Sequence, residues 1–98
     1  MNELKRIIET NYQVKRIIDF WSKKILLDKE YKGIEANELS KYYEIKTATK
    51  VVIDSYLLDN PNEKITSYKS RKIALTIASM IIDESKKIEE LTNELYNY

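Results

Sequence analysis

The chain contains no cysteine and no histidine, and it has a single glycine and a single proline. Without cysteine there is no disulfide framework, thiol nucleophile or thiolate metal site. Without histidine the commonest neutral-pH base and metal ligand is missing. One glycine, Gly33, excludes the glycine-rich turns that cradle phosphates. Long apolar runs are also lacking, so no segment is expected to span a membrane, and no signal-peptide core follows the N-terminus. These absences remove the usual catalytic chemistries. The expectation is a cytoplasmic protein that is not an enzyme, with no catalytic residue, cofactor, metal site or small-molecule substrate, and that acts by binding.

What is present is charge and helix-forming apolar residues. The 98 residues carry 17 basic and 16 acidic side chains, a net charge of +1, and 43% are hydrophobic. That is too apolar for disorder and long enough for one domain, 1–98, with one modest core. Four segments follow: 1–33, an N-terminal helical region; 34–60; 61–72; and 73–98, the longest helix signal. In the first, Leu4, Ile7, Val14, Ile18, Trp21 and Ile25 fall on one helical stripe. Thr10 and Asn11 can stop one helix there and cap a second. Phe20 and Trp21 read as core or interface anchors. Gly33 breaks the helix. Asp59-Asn60-Pro61-Asn62 is the clearest turn. Ile65-Thr66-Ser67-Tyr68 is rich in strand-favouring residues and can form half of a small hairpin.

The stretch from Ile34 to Lys50 resembles a helix-turn-helix. Leu39 and Ser40 match the apolar–small pair where two helices cross, Ile45 the apolar residue of the turn, and Thr47 to Thr49 the polar opening of a recognition helix. Two positions depart from the pattern: Glu44 stands where the turn has glycine, and Lys50 where an apolar residue is expected. The resemblance implies a mainly α fold with a helix-turn-helix, plain or winged by a small β-hairpin, plus a long C-terminal helix. The competing structure is an ordinary helical hairpin in which Thr47 is only an N-cap.

Charge is unevenly spread. Residues 1–33 carry +3, 34–60 carry −2, 61–82 carry +3 and 83–98 carry −3. The candidate DNA contacts are Lys46, Thr47, Thr49 and Lys50 on the second helix. Lys64, Tyr68, Lys69, Ser70, Arg71 and Lys72 join them, placed where a wing would touch phosphate. A net charge of +1 is low for one protomer gripping DNA alone. The C-terminal stripe supplies an answer. Ala74, Ile77, Ile81, Ile88, Leu91 and Leu95, with Glu84 and Tyr98, alternate spacings of three and four, the seam of a coiled coil. That seam either joins a homodimer or packs within its own chain. The expected function is sequence-selective double-stranded DNA binding as a homodimer, by a transcriptional regulator or a plasmid or phage accessory protein at a partition, origin or transfer site. The alternative, from another class, is an all-helical protein-interaction module, such as a phage inhibitor of a host protein, that never touches DNA.

Overall fold

In the computed structural model, residues 2–30 and 37–97 are described, and they form four helices with no β-strand among them. These are α1 (Asn2–Thr10), α2 (Tyr12–Glu30), α3 (Asn37–Asp59) and α4 (Ser67–Tyr96). Gly33, residues 34–36 and Tyr98 lie outside the described residues, as does the side chain of Leu39.

The first two helices meet at Asn11. Its Oδ1 accepts from the backbone N–H of Gln13 at 3.0 Å and of Val14 at 3.2 Å, which caps α2. Yet its own N–H still donates to Ile7 O, and its carbonyl accepts from Lys15. Asn11 thus separates the two helices while its backbone stays bonded to both. One face of this pair buries Leu4, Ile8, Val14, Ile18 and Trp21. The core is completed by Ala48 and Val52 from α3 and by Ile73, Ile77 and Ile81 from α4. Each fully buried isoleucine in such a core contributes about 1.5–3 kcal/mol of hydrophobic stabilisation. α4 packs on α2 and α3, and α1 packs on α2 and α3. Three small residues, Ser22, Ala48 and Ser85, are buried at the contacts. The Ser22 hydroxyl lies within hydrogen-bond distance of both Ile18 O and, across to α4, Ile81 O at 3.1 Å.

The α3–α4 connection is built by local chemistry. α3 ends at Asp59, the Asn60 N–H donates to Tyr56 O, and Glu63 N–H donates to Asn60 O at 3.1 Å to close a turn over Pro61. Thr66 is the N-cap of α4, with extended backbone (φ −72°, ψ 160°) and a side chain that accepts from Lys69 N–H at 3.2 Å.

Two expectations are corrected here. The helix-turn-helix is absent: α3 runs unbroken through Glu44-Ile45-Lys46, where the resemblance places its turn. No glycine or proline interrupts residues 37–59, and glutamate at the turn position is a good helix former. Thr47 is neither a helix opening nor an N-cap. Its hydroxyl donates to Tyr43 O within the helix, as that of Thr49 does to Ile45 O. The winged helix is absent too. Residues 67–72 form the first turns of α4, and only residues 60–66 separate the two helices. That span is too short for two paired strands and their turn, so the cap at Thr66 prevails over the strand propensity of Ile65 and Tyr68.

The molecule is elongated, with principal extents of 53 × 30 × 19 Å and a Cα radius of gyration of 15.3 Å. None of the described helices is long and apolar enough to cross a membrane.

Candidate interaction groove

Between α3 and α4 runs an open groove of about 500 Å³. From α3 it is lined by Tyr42, Ile45, Lys46, Thr49, Lys50 and Ile53, and from α4 by Ser70, Arg71, Ala74 and Leu75. The α3 positions recur at helical spacing, so a continuous helix presents them as one face. The apolar lining consists of Ile45, Ile53 and Ala74, which are half-buried, and Leu75, which is exposed. Every charged side chain on the lining, namely Lys46, Lys50 and Arg71, is basic. The Lys46 ammonium sits 5.5 Å from the centroid of the Tyr42 ring, which holds it near the groove's edge. Arg71 lies in the first two turns of α4, beside the positive end of that helix's dipole. No acidic residue occupies the first turn to offset it.

The groove thus gathers residues from both halves of the sequence-derived set. Lys46, Thr49 and Lys50 meet Ser70 and Arg71 there. Thr49 is 6% exposed and its hydroxyl is already engaged with Ile45 O, so it belongs to the wall. Thr47 points elsewhere, into a second groove with Gln13, Arg16, Ile17, Phe20, Glu44 and Val51. Lys64 precedes the cap of α4 and is exposed. Tyr68 and Lys72 pair with each other, the ammonium 5.1 Å from the ring centroid. Lys69 is exposed, with its backbone N–H spent on the Thr66 cap.

The stripe on α4 divides. Ile77 and Ile81 are buried within the chain, and Ala74 lines the groove. Ile88 is half-buried, while Leu91 and Leu95 are exposed. Glu84 is 4.0 Å from the Lys87 ammonium on the same helix, a surface pair that contributes little.

Sequence reasoning missed Tyr42, Ile45, Ile53 and Leu75 as groove residues. The signal for the first three was the 42–45–49–53 spacing, readable only once α3 is taken as one helix. Elsewhere, Trp21 is buried, with Phe20 packed edge-on at 5.2 Å and Lys24 over both rings. The Tyr56 phenol, near the α3–α4 turn, has its pKa raised by burial and by the carboxylates of Glu63 and Glu3. Among the described residues no group of three or more histidine, cysteine, aspartate or glutamate side chains is placed to hold a metal ion.

Comparison with known proteins finds no family model, curated protein or solved structure that matches the chain.

Proposed function

We propose that the chain is an all-helical protein-interaction module that takes an acidic amphipathic helix into the α3–α4 groove. The observation that carries this reading is the combination of an apolar lining with a rim whose charges, Lys46, Lys50 and Arg71, are all positive. A helix laid in a groove buries apolar side chains at i, i+3, i+4 and i+7. Flanking carboxylates on such a helix meet the rim, which fixes orientation and speeds encounter. Duplex DNA is the second reading, favoured by the same gathering of Lys46, Lys50, Ser70 and Arg71. A phosphate backbone, however, has no use for an apolar lining of Ile45, Ile53 and Leu75, and three cations neutralise few phosphates.

A designed, fluorescein-labelled helix with leucine on one face and glutamate on its flanks separates the two. Anisotropy should show micromolar binding to the wild type, weakened at least tenfold by Lys46→Glu with Lys50→Glu. A 20-base-pair duplex should show no comparable affinity. Failure of the peptide to bind at millimolar protein would overturn the proposal. So would duplex binding with a steep salt dependence that the same double variant abolishes.

A further inference from the structure

We infer that the occupant of the groove is the C-terminal end of α4 from a second copy of this chain. The inference rests on the proposed function above and names its partner. Residues 90–97 of α4 are all exposed, although Ile88, Glu89, Thr92 and Asn93 still border Lys23, Leu26 and Leu27 of α2 across an open groove. Leu91 and Leu95, one helical turn apart on one face, are 61% and 78% exposed. Glu90 and Glu94 flank them, and no lysine or arginine occurs after Lys87. The segment is therefore an acidic amphipathic helix, the kind of ligand the groove selects. Residues 61–82, which include one wall of the groove, carry +3, and residues 83–98 carry −3.

The tail cannot fill its own groove. Leu75 on the groove wall and Leu91 on the tail are sixteen residues apart on one continuous helix. That is about 24 Å of rod at 1.5 Å per residue. No glycine or proline lies between them to let it turn back. A tail in the groove therefore comes from another copy. Groove and tail are different surfaces, so each copy offers one acceptor and one donor.

Two variants expose the arrangement. Lys46→Glu with Arg71→Glu disables the groove and leaves the tail; Leu91→Ser with Leu95→Ser disables the tail and leaves the groove. All four positions are exposed, so circular dichroism should match the wild type for both. In sedimentation equilibrium from micromolar to sub-millimolar protein, wild type should rise in mass above 11.7 kDa. Each variant alone should stay at the monomer mass. Mixed in equal amounts, they should form a one-to-one complex, the intact groove of one holding the intact tail of the other. A wild type that remains monomeric throughout, or a tail variant that associates as strongly as wild type, overturns the inference. If the wild type is monomeric but still captures the designed acidic helix, only the self-association falls. If it captures neither, the interaction reading falls with it.

Discussion

The two halves of α4 carry one pattern and meet opposite fates. From Ile73 to Ser85 its inward face is buried against α2 and α3, with Ile77 at 0% exposure. From Glu90 onward the same stripe continues through Leu91 and Leu95 into solvent. Periodicity therefore tells which face of a helix is apolar, and says nothing about whether a partner covers it. Cover depends on what the rest of the chain can reach. Among the described residues, α2 and α3 close over the first half of α4 and leave Leu91 and Leu95 exposed.

The sharpest way to break this comparison is to cut the same chemistry from both halves. Ile77→Ala should cost about 2–5 kcal/mol through lost burial and the cavity left behind. Leu95→Ala should stay within about 0.5 kcal/mol, as exposed changes do. Urea melts followed by circular dichroism, at concentrations low enough to keep the protein monomeric, measure both. Equal losses would mean that the tail is packed after all. A smaller effect tests the two ends. Thr66→Ala removes the side-chain acceptor from the start of α4 and should cost about 1 kcal/mol. Asn97 closes the far end through its backbone N–H, bonded to Asn93 O, so Asn97→Ala should be close to neutral in the same melts.

The smallest effect concerns pH. The raised pKa of Tyr56 means that the folded state favours the neutral phenol. The stability it adds is fully present below the ordinary tyrosine value near pH 10 and is lost as pH rises through the higher folded value. Wild type should therefore lose stability more steeply than Tyr56→Phe above about pH 10, in parallel melts. Identical slopes would show that neither burial nor the carboxylates of Glu63 and Glu3 raise the pKa of the phenol in the folded state.

The features legible in the sequence are those set by neighbours in the chain. Asn11 as a cap, the turn at Pro61, and the inward stripe of Val14, Ile18 and Trp21 all rest on local chemistry or on a clean period. α3 was not legible as one helix. Its apolar residues lie on several faces: Ala48 and Val52 turn to the core, whereas Tyr42, Tyr43 and Leu58 turn outward. No single stripe runs its length, and threonines at 47 and 49 imitate a helix start. No helix breaker interrupts residues 37–59, and Ala48 and Val52 pack in the core with the other helices, a tertiary fact. Ile8, Ile73 and the buried serines Ser22 and Ser85 escaped for a related reason, since they fill contacts that exist only once the helices are assembled. The groove followed the same course, because its basic rim joins positions more than twenty residues apart, such as Lys46 and Arg71.

The 53 Å length of the molecule has a hydrodynamic consequence. A spherical domain of about 100 residues has a radius of gyration near 13 Å, well below the 15.3 Å found here. The single chain should tumble slowly and leave a gel-filtration column ahead of compact proteins of its mass, at a volume easily taken for a dimer's. Fluorescence depolarisation of Trp21, the only tryptophan, should likewise report a rotational correlation time longer than that of a sphere of 11.7 kDa.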